Sequence, residues 1–198
     1  MTPRQICDRL MDLFIEKNMM LTIEPYWFVP SNSEPDAYIY RLKDTKQELG
    51  VVSIDHIGET EVTENNPQIT IHVRDIDVPE AHRGQGIARA ILLYGLCDEM
   101  DKHPAIEYSF LEDDTPFAQD KSRNLYHEFG YRFKEGDLQE KILALDEFKT
   151  NYMRNLYTKV VDTLFKKRRG RENKTMNRKR KSRSKSRSKN KNQNKTKK

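Results

Sequence analysis

The chain has 198 residues and a formal net charge of +5, from 36 Lys+Arg against 31 Asp+Glu. That small excess hides a division: residues 165–198 hold 18 of the bases and one acid, Glu172, leaving 18 bases and 30 acids before them, so a body at −12 and a tail at +17. No run of about 18 apolar residues exists to cross a membrane, the start lacks the apolar stretch of a signal peptide, and Cys7 and Cys97 cannot make a disulfide framework or a metal-ligand pattern. The expectation is an intracellular protein, cytoplasmic or nuclear, with no membrane and no metal. One domain over residues 1–165, with an extra C-terminal helix at 148–165, precedes a disordered basic tail at 166–198.

In chain order, residues 3–17 read as an amphipathic helix. Thr2 is its N-cap, Pro3 fits the first helical position, Gln5 completes a capping box, and Ile6, Leu10, Leu13 and Phe14 share one face. Extended segments follow at Leu21–Val29, Ala37–Leu42 and Glu48–Ile57, separated by turn-rich stretches. Pro67–Val78 is a further strand whose pattern changes parity: Ile69, Ile71 and Val73 alternate on odd positions, Ile76 and Val78 on even ones. A change of parity means one extra residue, hence a β-bulge near Arg74-Asp75. Gln85–Lys102 reads as a helix with Ile87, Ile91 and Tyr94 on its buried side. Pro104–Leu111 is a strand, Ala118–Phe129 a helix ended by Gly130, and Tyr131–Lys134 a strand. Lys141–Leu145 is either a last strand or the start of the next helix, which carries the stripe Phe148, Tyr152, Leu156, Val160 and Leu164. The fold class is mixed α/β: one central sheet with a bulge, flanked by helices.

The junction Val78-Pro79-Glu80-Ala81-His82-Arg83-Gly84-Gln85-Gly86-Ile87-Ala88 joins the bulged strand to a helix. Two glycines permit a tight turn, and the first N–H groups of a helix have no acceptor within it, so the junction suits an anion such as a pyrophosphate. A plain glycine-rich helix start stays open beside that reading. Neither the Walker ending nor the three-glycine dinucleotide fingerprint is present.

This turn resembles motif A of the GNAT acetyltransferases, Arg/Gln-x-x-Gly-x-Gly/Ala, with Arg83, Gly86 and Ala88 matching. The second hallmark, a helix ending in Leu-Tyr with a glycine and an aromatic beyond it, is matched by Leu125-Tyr126-His127-Glu128-Phe129-Gly130-Tyr131. The resemblance spans roughly residues 20–145 and implies a GNAT-like fold and transfer of an acetyl group from acetyl-CoA to a primary amine. It implies that backbone N–H groups of Gly84, Gln85, Gly86, Ile87, Ala88 and Arg89 hold the pyrophosphate, with Arg83 beside the phosphates or simply solvated. Ile76 and Val78 on the splayed strand would lie along the pantetheine arm and the thioester.

Tyr126 falls where the family carries the tyrosine that protonates the departing thiolate; a tyrosine packed in the core is the plain alternative. His72, near where relatives place a base, is the candidate for deprotonating the amine, against a structural strand histidine. Glu59, Glu61 and Glu64 are further candidates, acting through water or attracting a cation. Pro79 stands one residue early for the family, and Gln119 and Ser122 replace the asparagine and alanine common in the second helix. The acidic body favours a cationic acceptor, a polyamine or a protein or peptide amine. The tail implies nonspecific contact with nucleic acid. Two other readings are a weakly catalytic acyl-CoA-binding module tethered to nucleic acid, and a ribosomal or nucleoid protein with coincidental motifs.

Overall fold

The computed structural model describes residues 1–28, 35–60, 68–114, 124–133 and 140–164. The first helix, α1 (Pro3–Glu16), starts as its sequence dictates. The Gln5 amide donates to Thr2 Oγ1 at 3.2 Å while the Thr2 amide donates to Gln5 Oε1 at 3.0 Å, and Pro3 takes the first position. Its apolar face, Ile6, Leu10, Leu13 and Phe14 with Cys7, is buried.

Seven strands form one sheet: β1 (Met20–Tyr26), β2 (Ala37–Lys43), β3 (Glu48–Thr60), β4 (Gln68–Asp77), β5 (Tyr108–Glu112), β6 (Arg132–Phe133) and β7 (Glu140–Ala144). Their spatial order is β1-β2-β3-β4-β5-β7-β6. Every pairing is antiparallel except β4 with β5, which are parallel because α2 (Ile87–Lys102) crosses between them. Residue register sorts the side chains. Tyr40, Leu42, Val52, Ile54, Ile71 and Val73 point to one face and are buried. On the opposite face Ala37, Ile39, Ser53, Asp55 and His72 line up across β2, β3 and β4.

Helix α2 covers the first face so closely that a Cβ on Gly95 would stand 2.8 Å from Ile54 Cδ1. It is buried nearly all round between Ile87 and Met100, with α1 against it: Phe14 and Tyr94 ring centroids lie 6.5 Å apart, and Tyr40 and Tyr94 6.1 Å. At the other end of the sheet Phe129 stacks on Phe148 at 6.0 Å.

Several boundaries differ from the sequence expectation. The strand expected from Pro104 begins at Tyr108, because Pro104 and Ala105 form a turn closed by the Ile106 amide on the His103 carbonyl. The helix expected from Gln85 begins at Ile87, since Gly86 is left-handed. Of Lys141–Leu145, residues up to Ala144 fall in strand β7 while Leu145 opens the next helix as α4 (Leu145–Glu147), which widens into a π-helical turn (Phe148–Tyr152) and continues as α-helix over 153–164. Of the helix expected at 118–129, α3 (Leu125–Phe129) is described; Gln119 and Ser122 lie outside the described residues, as do Glu61, Glu64 and the tail 166–198. The chain divides into two compact units, Met1–Val161 and Asp162–Lys198. Among the described residues no helix is long and apolar enough to cross a membrane.

Candidate active site

The parity change in β4 is a bulge. Ile54 of β3 pairs with Val73 and Ser53 with Asp75, so Arg74 is the extra residue. On its other edge β4 pairs with β5 only from Thr70↔Tyr108 to His72↔Phe110. Beyond that rung β5 continues against β7, and Val73–Asp77 pairs with β3 alone, so the two parallel strands part company at His72 and leave a notch. Ile76 and Val78 fall on the parted segment and its exit.

From Val78 the chain makes a 3-10 turn, Glu80–His82, and reaches α2 through Arg83-Gly84-Gln85-Gly86. Gly84 has φ +66° and Gly86 φ +82°, backbone that a side chain disfavours, and the first intrahelical amide is Ala90, donating to the Gly86 carbonyl at 3.0 Å. The amides of Ile87, Ala88 and Arg89 therefore have no acceptor within the helix and face its N-terminal end. Two long side chains brace the turn: Arg83 Nε donates to the Val78 carbonyl at 2.9 Å, and Gln85 Nε2 to the Ala81 carbonyl at 2.9 Å. Arg83 thus ties the turn back to the end of β4 through one nitrogen of its guanidinium. Arg89 reaches the other motif, with Nε and Nη2 each 2.8 Å from Glu128 Oε2 on α3.

Tyr126 is half-buried on α3, its ring 6.1 Å from that of Tyr131 and edge-on. Burial pushes its hydroxyl up to about 12, and the nearby carboxylates Asp113, Asp114 and Asp75 push the same way, so it stays protonated at neutral pH. Its helix is fixed by Asn124, whose Oδ1 accepts from the amides of Tyr126 at 2.9 Å and His127 at 3.2 Å. Asn124 Nδ2 in turn donates to Asp113 Oδ2 at 2.6 Å, the oxygen that also meets the buried Lys141 ammonium at 2.5 Å. Sequence reading missed this buried Asp113–Asn124–Lys141 cluster; only the Asn124 capping position carried a signal for it.

His72 stands at the last rung before the notch, its ring stacked on Phe110 at 4.7 Å. Burial lowers its pKa below the ordinary imidazole value; Asp55, Glu112 and Glu140 oppose that and Arg74 reinforces it. Tyr126 is not beside it: Tyr131, its ring neighbour, shares a 2.6 Å hydroxyl hydrogen bond with Ser109, which alternation in β5 places on the face opposite Phe110 and His72.

On the His72 face, Tyr26, Phe28, Ala37, Ile39, Ser53, Asp55 and Arg74 line an open pocket of about 170 Å³. Asp55, directly across from His72, is 5 % exposed; its Oδ2 meets Arg74 Nε at 3.3 Å, and its buried Oδ1 has no hydrogen-bond partner among the described residues. Arg74 also lies 5.1 Å over the Phe28 ring. A carboxylate in the middle of the expected strand Glu48–Ile57 was the sequence signal for this residue. The side chain of Glu59 lies outside those described.

The model of the acetyltransferase (GNAT) family matches residues 6–131. No curated protein matches the chain. Solved structures similar to it include the AtaTR complex bound with AcCoA (TM-score 0.49, 12 % identity, 67 % of this chain and 97 % of that one) and the KacTA–DNA complex (0.49, 12 %, 66 % and 96 %). Another is AtaT complexed with acetyl-methionyl-tRNAfMet (0.47, 12 %, 58 % and 74 %). The family match covers well over half of the chain, both motifs included: the protein belongs to the acetyltransferase (GNAT) family and is an acetyl-CoA-dependent N-acetyltransferase.

Proposed function

We propose that the chain acetylates a cationic primary amine that enters from the His72 face of the sheet, by direct transfer from acetyl-CoA held in the notch. The observation that carries this reading is the notch itself, which opens at the His72↔Phe110 rung and runs toward the glycine turn at Gly84–Gly86. A buried carboxylate, Asp55, stands one strand away from that rung. Acetyl-CoA, when bound, supplies the activated thioester. The amides of Gly84 through Arg89 take its pyrophosphate, the edge of β4 around Ile76 and Val78 pairs with its pantetheine arm, and an amide near Val78 polarises the thioester carbonyl.

Asp55 and the rings of Tyr26 and Phe28 suit an ammonium group, with the negative body of the chain steering it in. His72, neutral because burial disfavours its charged form, takes the proton from the ammonium. The amine lone pair then forms the C–N bond as the C–S bond breaks, the nitrogen gives up its second proton to solvent to become the neutral amide, and the Tyr126 hydroxyl donates its proton to the thiolate sulfur. His72 and Tyr126 return to their starting states through solvent. The protein works inside the cell, and the 166–198 tail holds it on polyanions.

Incubation with labelled acetyl-CoA and a panel of polyamines, basic peptides and neutral amines tests the reading. Label on the cationic members supports it; exclusive transfer to neutral amines sinks the acceptor assignment. Removal of 166–198 is expected to abolish salt-sensitive retention on nucleic acid, and retention that persists refutes the role of the tail.

A further inference from the structure

At the far end of α2 from the glycine turn, we infer that His56, Glu99 and His103 form a binding site for a divalent transition metal ion, best suited to Zn2+. One ligand atom from each of the three residues lies within 4.8 Å of the others. Glu99 and His103 are four residues apart at the C-terminus of α2, where the His103 amide donates to the Glu99 carbonyl at 2.9 Å, so both side chains leave the same side of the helix. His56 comes from β3 and meets Glu99 Oε2 through Nε2 at 2.5 Å. Its ring lies 4.6 Å from that of His103, at 75°.

Each oxygen of Glu99 meets one partner, the Tyr40 hydroxyl at Oε1 and His56 Nε2 at Oε2. Glu99 is 0 % exposed. The Tyr40 hydroxyl lies within reach of both Glu99 Oε1 and Asp98 Oδ2 but has one proton to give, and the nearby ammonium, Lys102, is engaged with Asp98 at 2.6 Å. His103 Nε2, also buried, has no hydrogen-bond partner among the described residues. A buried carboxylate held by a shared hydroxyl and an imidazole, with an unsatisfied imidazole nitrogen beside it, offers three convergent ligand atoms that one cation would satisfy together. Two imidazoles and a carboxylate are a donor set that Zn2+ takes in tetrahedral sites with one further position, at about 2.0–2.2 Å per ligand. Tyr40 then orients the bound carboxylate from outside, as partners of metal ligands do. The ion would pin the end of α2 to β3 and steady the helix whose other end is the glycine turn. The 16 residues of α2 put it about 24 Å from that turn, so its role is structural.

Zn2+ titrated into the full chain by calorimetry, with Co2+ as a spectroscopic stand-in, tests the site. One ion per chain is expected, with tetrahedral Co2+ bands and a rise in melting temperature on adding Zn2+. His103→Ala, at a half-buried helix end, is expected to weaken Zn2+ at least about tenfold with the circular dichroism unchanged, while His82→Ala is expected to bind as the parent does. The tail cannot mimic this result, since residues 166–198 contain no histidine or cysteine. A folded chain that takes up no Zn2+ overturns the site. So does Zn2+ binding that survives both His103→Ala and His56→Gln.

Discussion

Arg89 in the first turn of α2 and Glu128 on α3 share a two-pronged ion pair, both guanidinium contacts at 2.8 Å on one carboxylate oxygen. It ties the helix that follows the glycine turn to the helix that carries Tyr126. Both side chains are less than a third exposed, at 19 % and 29 %, so solvent screens the pair incompletely. A double-mutant cycle on Arg89→Met and Glu128→Gln is expected to return a coupling of about 0.5–1 kcal/mol that shrinks as salt is raised. Glu128→Gln alone is expected to raise the KM for acetyl-CoA more than it lowers kcat. A coupling of zero would reduce the pair to a bystander.

Tyr126→Phe tests the proposed proton donor. The ring contact with Tyr131 survives the change and only the hydroxyl is lost, so acetyl-CoA affinity is expected to hold while kcat falls about a hundredfold or more. Because the hydroxyl is pushed up to about 12, the parent enzyme is expected to show no loss of rate from Tyr126 ionisation between pH 7 and about 10. Unchanged turnover in the variant, read by release of free thiol, rules the role out.

Local rules carried much of this fold. The α1 capping box, the Gly130 helix end and the parity change that marks Arg74 each depend on residues within a few positions of one another, and each was readable from the chain. What stayed hidden depends on register between distant strands. Nothing near Asp55 says that it will face His72, or that Arg74, thrown out by the bulge, will lie against both Asp55 and Phe28. His56 and Glu99 are likewise 43 residues apart and meet only once α2 lies on β3. The π-helical turn at Phe148–Tyr152 leaves no local trace, because its single extra residue per turn is set by packing. The two glycines of the turn were legible as glycines, but their left-handed conformation, which moves the helix start to Ile87, was not.

If His72 is the base, it is expected to set the acidic limb of the rate profile. Its pKa is lowered by burial, so the imidazole is neutral, and ready to accept a proton, down to a pH below the usual ~6.5. The limb of kcat/KM is therefore expected below ~6.5, and His72→Gln is expected to lower the rate and remove that limb. Stability follows the same sign: the unfolded chain protonates His72 first, so this contribution is intact above ~6.5 and is lost as pH falls from there toward the folded pKa. Asp55→Asn, which removes the opposing charge across the strand pair, is expected to move the limb further down. An acidic limb identical in His72→Gln and the parent eliminates His72 as the base.

Gly84→Ala separates backbone strain from crowding. A Cβ there meets nothing within 4 Å, so the substitution costs only what a left-handed φ of +66° costs an alanine, about 1–2 kcal/mol. The turn is expected to relax away from that conformation, raising the KM for acetyl-CoA roughly tenfold while the overall fold and kcat at saturation change little. Equal KM values in Gly84→Ala and the parent would mean that the turn does not need this geometry to hold its ligand.

The buried Lys141–Asp113 pair makes the most demanding case. Both groups have fully buried side chains, and Asp113 is held as well by Asn124, which caps the helix of Tyr126. Lys141→Met keeps the volume of the side chain but strands the Asp113 charge, so the expected loss is about 3–5 kcal/mol, or roughly 10 °C in melting temperature. Asn124→Ala removes the cap and the hydrogen bond to Asp113 while leaving the Lys141 ion pair, and is expected to lose about 2 kcal/mol. If the cluster serves to hold Tyr126 in place, both variants also lower kcat at temperatures where they remain folded, and neither lowers it further in a Tyr126→Phe background. Additive losses in that background would show that the cluster supports the fold without positioning the hydroxyl.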